Sequence, residues 1–86
     1  MKGEEIAILG AGHGGRAFAV YLAEKGFKVN LGFRTIQHIR EIYLSKRILA
    51  EGVYSGAFPM FRISNHYHQL IQNSKIILVV LPASVH

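Results

Sequence analysis

The stretch Ile6-Ala7-Ile8-Leu9-Gly10-Ala11-Gly12-His13-Gly14-Gly15 decides how the rest of the chain is read. Its apolar half is short, rich in isoleucine and bounded by glycine, which suits a buried strand of a parallel sheet. The residues that follow, Arg16 to Gly26, read as a helix. Gly15, Ala19, Leu22 and Ala23 fall on one face at helical spacing, and the small residues among them let that face lie close to a sheet. Gly26 after Lys25 is a stop signal, so the helix is expected over about 13–25. A strand, a glycine turn and a helix in this order present backbone N–H groups to a phosphate.

Each glycine of the Gly-x-Gly-x-x-Gly spacing has a physical task. Gly10 makes the tight turn, Gly12 lets the backbone approach a diphosphate without a Cβ in the way, and Gly15 permits close helix–strand contact. Ala11, His13 and Gly14 complete the loop, whose N–H groups face the same ligand. The pattern is that of a dinucleotide site, with the diphosphate on the positive end of the helix.

Beyond the motif the chain keeps alternating. Phe27-Lys28-Val29-Asn30-Leu31 reads as a second strand. Thr35 is placed to cap a helix over about 36–50, with Ile36, Ile39, Tyr43 and Ile48 on its apolar side and Gly52 at its end. Val53-Tyr54 and Met60-Phe61-Arg62-Ile63 look strand-like, which predicts two short strands or a small hairpin around 53–63. A short helix over about 66–72 leads through Asn73-Ser74 into Lys75 to Leu81, the strongest strand in the chain, closed by Pro82. The alternation predicts one α/β domain over residues 1–86. It is a truncated, doubly wound Rossmann fold with helices on both faces. Its four parallel strands, counted in chain order, are expected side by side as 3-2-1-4.

Composition bounds the rest. The chain has 86 residues, half of them apolar and 17% charged, which is globular rather than disordered. It has no cysteine, so neither a disulfide framework nor a thiolate metal site is available. Ten lysines and arginines stand against five glutamates and no aspartate, for a net charge of +5. That balance favours anionic partners, yet no block of like charge or aromatic platform points to specific nucleic-acid binding. The longest apolar run, Ile76 to Leu81, is far short of the roughly 20 residues a spanning helix needs. Met1-Lys2 leads into two glutamates rather than a signal sequence. These features predict a soluble, cytoplasmic protein with no membrane partner.

The residues after the second strand bear on the choice of dinucleotide. NAD sites place an acidic side chain there, about 20 residues beyond the glycines, on the ribose hydroxyls. Here Phe33 stands near that point and Arg34 and Thr35 follow. A guanidinium suits a 2′-phosphate through charge-assisted hydrogen bonds, so NADP is expected over NAD. Arg34 could also stack on adenine without choosing between the two. For the Thr35 hydroxyl, helix capping is the expected role.

The run Ile8-Leu9-Gly10-Ala11-Gly12-His13-Gly14-Gly15-Arg16-Ala17-Phe18-Ala19 resembles the N-terminal fingerprint of the opine dehydrogenases of the octopine and nopaline type. The ending, Ile77-Leu78-Val79-Val80-Leu81-Pro82-Ala83-Ser84-Val85-His86, is similar to that family's fourth strand and the turn after it. The same half-domain is also similar to the N-terminal parts of glycerol-3-phosphate dehydrogenases and ketopantoate reductases. The resemblance covers nearly the whole chain but only the first quarter or third of such an enzyme. It implies an NAD(P)-dependent oxidoreductase acting on CH–NH or CH–OH donors, with Leu81 and Pro82 joining the glycine loop at the cofactor. It also implies that catalysis needs a second, helical domain that this chain lacks, so no catalytic residue is assigned and the chain alone is expected to be inactive. A different class, a stand-alone nucleotide-binding sensor or assembly module, fits the same motif.

An apolar fourth strand left at a sheet edge is a liability. It predicts either a homodimer paired through that strand or a separate catalytic chain covering it. The remaining histidines carry little. His66 and His68 are expected on the surface of the short helix, and no metal site is assigned. His86 ends the chain. Tyr43, Phe58 and Phe61 are expected in the core.

Overall fold

The computed structural model describes residues 3–50, 52 and 55–80. In chain order these form β1 (Glu5–Leu9), α1 (His13–Glu24), β2 (Lys28–Gly32), a 3-10 turn (Ile36–His38) and α2 (Arg40–Ser45). β3 (Arg47–Ala50), β4 (Gly56–Pro59), β5 (Arg62–Ser64), α3 (Tyr67–Gln72) and β6 (Ile76–Val79) follow. The main sheet has the order β5-β2-β1-β6, and every pairing in it is parallel. Counted among these four strands, that is the expected 3-2-1-4.

The sheet is buried where it is covered on both sides. Ile6, Ala7, Ile8 and Leu9 are all buried, which is why β1 reads as a continuous apolar run rather than an alternating one. On one face α1 lays Gly15, Ala19 and Val20 against the sheet, with Leu22 and Ala23 at the margin. On the other, Leu70 and Tyr67 of α3 pack on Ala7 and Leu9. α1 ends as Gly26 predicts. That residue takes φ +96°, its N–H bonds to Ala23 O and that of Phe27 bonds to Leu22 O. This is a Schellman closure.

The segment after β2 departs from expectation. The helix predicted over 36–50 is a 3-10 turn and six residues of α-helix, after which Lys46 turns into the left-handed region (φ 61°). Residues 47–50 become β3 instead, because antiparallel pairing with β4 sets Ile48 opposite Phe58 and buries it in the core. Tertiary pairing overrides local helix propensity here. The expected hairpin around 53–63 is therefore displaced: its arms are 47–50 and 56–59, and Arg62–Ser64 joins the parallel sheet beside β2. Residues 53 and 54 lie outside the described residues. Thr35 precedes the 3-10 turn, but its side chain makes no capping bond.

Two further expectations change. Tyr43 and Phe61 are exposed rather than core: Tyr43 meets Phe33 edge-on, and Phe61 is flanked by Lys28 and Arg62. β6 keeps Ile76, Ile77 and Val79 well exposed, because it is the last strand of the sheet on that side. His66 and His68 are exposed, as expected, at the start of α3. Among the described residues no helix is long and apolar enough to cross a membrane.

Candidate dinucleotide site

Three strand ends meet at one edge of the sheet. Gly10 N–H donates to Gly32 O at 3.0 Å, and Val80 N–H donates to Leu9 O at 3.0 Å. The turn after β1 is thereby held between the ends of β2 and β6. Gly10 has φ +123°, and a Cβ there would run into the carbonyl oxygen of Val80. Gly15 is more constrained still: a Cβ would overlap the carbonyl of Gly10. Both glycines are thus required by the packing of loop on strand and helix on loop. Gly14 is close to the Val80 side chain.

Gly12 is different. A Cβ built on it meets nothing within 4 Å, and its backbone angles (φ −76°, ψ −167°) are open to any residue. No contact within the described residues explains a glycine there, and this backbone is open to close approach by a ligand. The helix start beside it is also open. The first helical bond is Arg16 N–H to Gly12 O at 2.9 Å, so the N–H groups of the preceding residues have no helical acceptor. No side chain caps them and no acidic residue stands in the first turn. Such an end attracts an anion. A dinucleotide diphosphate fits this cradle.

The other expected site residues are distributed as follows. Phe33 and Arg34 continue from the end of β2, next to the glycine turn. The Phe33 ring is buried in the core, so it is the Phe33 backbone that reaches this edge, its N–H bonded to Ser64 O. Arg34 and Thr35 are exposed. Ala11 is partly buried and packed against the core, and His13 is exposed. Leu81 and Pro82 lie outside the described residues. A groove of about 610 Å³ runs along α1, with His13, Arg16 and Arg47 on its rim and Val20, Ile42 and Ile48 on its walls. Sequence reasoning missed Arg16. The signal that could have found it is its charge, which opposes the positive end of the helix it opens.

A family model described as the N-terminus of NAD-dependent glycerol-3-phosphate dehydrogenase matches residues 5–86. The chain belongs to this family. As an N-terminal NAD-binding domain, it is also 34% identical over 87 aligned residues to an opine dehydrogenase of Arthrobacter sp. (strain 1C). That alignment covers all of this chain and 24% of the relative, so the chain spans about a quarter of that protein's length. No solved structure matches it. The chain is thus an N-terminal domain of this family that is similar over its whole length to part of an opine dehydrogenase.

Proposed function

We propose that this domain holds NADP, in preference to NAD, for an opine-dehydrogenase-like oxidoreductase acting on a CH–NH or CH–OH donor. One observation carries the reading: the uncapped, acid-free start of α1 beside Gly12, a glycine that no packing contact demands. The backbone of Gly10, Ala11, Gly12, His13, Gly14 and Gly15 binds the diphosphate. Phe33, Arg34 and Thr35 border the adenosine ribose, and the absence of an acidic side chain among them favours a 2′-phosphate over a free hydroxyl. Leu81 and Pro82 continue the site beyond β6. The nicotinamide, when bound, supplies the hydride chemistry. The domain's own share is to bind and orient the dinucleotide, and no residue of it is assigned a proton transfer. The substrate-binding and catalytic groups belong to sequence beyond this quarter of the relative's length.

Among the described residues no strand pairs with the outer edge of β6, which supports a second reading about partners. Its exposed Ile76 and Val79 favour pairing with another strand, from a second copy across a two-fold axis or from a catalytic remainder. A cysteine-free, membrane-independent chain of this kind fits the cytoplasm. Calorimetric titration of the chain with NADP, NAD and ADP tests the main reading. Binding of the dinucleotides in the micromolar to millimolar range, tighter for NADP, is expected. Failure of all three at millimolar concentration would remove it.

A further inference from the structure

The charges around the start of α1 run against the helix dipole. Arg16 stands in the first turn, where an acidic residue is favoured and none is present. Its Nε donates a long hydrogen bond to Gly12 O (3.4 Å), which folds the side chain back over the glycine loop. Beside it a groove of about 360 Å³ separates the first turn of α1 from the segment that leaves β2. Arg16, Gln37, Ile39, Arg40, Glu41 and Ile42 line it. Arg34 stands at the entrance of the same segment. Among the described residues the ion pairs are Glu5–Arg62 and Glu4–Lys75, so Arg16, Arg34 and Arg40 carry none. A local rule broken without compensation inside the protein points to a compensating ligand.

We infer that this groove receives a phosphate monoester, the 2′-phosphate of the bound dinucleotide, with Arg16 and Arg40 as binding residues beside Arg34. The inference rests on the NADP reading above and gives it a location. The diphosphate lies over the start of α1, and the adenosine ribose runs from there to the end of β2. The bond from Gly10 N–H to Gly32 O keeps those two places adjacent, and Arg16 of the first turn of α1 lines the groove. Its lining sets two guanidiniums, Arg16 and Arg40, against one carboxylate, Glu41, and the exposed Arg34 begins the same segment after β2. That excess matches a phosphate monoester, which carries about −1.5 to −2 near neutral pH. The planar guanidinium fork suits phosphate oxygens better than a lysine would. A 2′-hydroxyl in the same place leaves the guanidiniums with water, so discrimination between NADP and NAD arises here. Glu41 weakens the site, and the sign of that effect is part of the test.

The test compares two ligands that differ only in the 2′-phosphate, 2′,5′-ADP and 5′-AMP, by calorimetry on the whole chain. The wild-type chain should favour 2′,5′-ADP. Arg40 is exposed, so Arg40→Gln keeps the fold; thermal unfolding checks this. It should weaken 2′,5′-ADP about ten-fold and 5′-AMP less than two-fold. Arg16→Gln should act the same way, and Glu41→Gln should strengthen 2′,5′-ADP by about three-fold. A wild-type preference for 2′,5′-ADP that neither arginine variant alters overturns this inference and leaves the NADP reading standing on Arg34. Equal losses for both ligands overturn it too. A wild-type chain that binds the two ligands equally overturns the inference and the NADP reading together.

Discussion

At the edge of the sheet where β1 begins, polar side chains satisfy one another. Asn30 is fully buried in β2, and its Nδ2 donates to Glu5 Oε1 (2.9 Å) and to Ser74 Oγ (2.8 Å). Arg62 from β5 donates to the same Glu5 oxygen at 3.0 Å. The Glu5 carboxylate thus ties β1, β2 and β5, and the Asn30 amide extends the network to the turn before β6. At the opposite edge, where β1 ends, the reverse holds. Backbone N–H groups at the start of α1 have no side-chain cap, and Arg16, Arg34 and Arg40 nearby form no ion pair among the described residues. The closed edge fixes which strand lies beside which. The open edge keeps hydrogen-bonding capacity that no side chain among the described residues uses. The chemistry of the domain is therefore found by asking which polar groups are left unmet, not which are buried deepest.

The largest blow falls where the open edge depends on close packing. In Gly15→Ala the new Cβ would occupy the position of the Gly10 carbonyl, and both atoms belong to elements that cannot move independently. A loss of about 3 kcal/mol or more is expected, which a domain of this size will register as unfolding near room temperature. A thermal melt within a few degrees of the wild type would mean that helix and loop are not locked together as described. Next comes the closed edge. Asn30→Ala leaves a cavity and deprives Glu5 and Ser74 of their shared donor, at about 2 kcal/mol by denaturant titration. The buried Oδ1 of Asn30 has no partner of its own among the described residues, which keeps the figure below that of a fully satisfied amide.

How far the sequence carried depends on the same contrast between local and distant causes. β1, the glycine turn, α1 and its Gly26 stop were legible because each is set by neighbours in sequence: an apolar run, fixed glycine spacing, a small-residue face. The region 36–59 was not. Its outcome depends on Ile48 meeting Phe58 across a hairpin, and nothing between Ser45 and Ala50 announces a left-handed Lys46. The five-residue step from Tyr43 to Ile48, too long for one helical turn, was the available warning. At the site, the glycines could be read because backbone chemistry demands them. Arg16 and Arg40 could not, because their convergence on one groove is a product of the fold and appears in no short motif.

A smaller effect separates function from stability at a single atom. Gly12→Ala adds a methyl group to open space, with backbone angles that alanine accepts. Its melting temperature should change little, by the equivalent of less than about 1 kcal/mol for a helix N-cap position. Dinucleotide affinity should nonetheless drop at least about ten-fold, because the methyl stands where the diphosphate approaches. Paired with Gly15→Ala, this gives two glycines three residues apart with different roles: changing one removes the fold, changing the other removes the ligand. An unchanged affinity in Gly12→Ala would close the open edge as a binding site.

The mildest test is acid. The hydrogen bond from Asn30 holds the Glu5 carboxyl below its ordinary value of 4.5, burial opposes that shift, and the bond and charge of Arg62, with Lys28 farther off, add to it. A carboxylate whose pKa is lower folded than unfolded binds more protons in the unfolded chain. Its contribution is therefore complete above about pH 4.5 and is lost as pH falls through the lowered folded value. Glu5→Gln keeps an oxygen that can accept from Asn30 and Arg62 but gives up the charge. The variant should unfold at lower denaturant concentration than the wild type at pH 7, and the gap should narrow steadily below pH 4.5. A gap that stays constant from pH 7 to pH 3 would mean that shape, not charge, holds this edge. The contrast with the unpaired arginines opposite would then lie in packing rather than electrostatics.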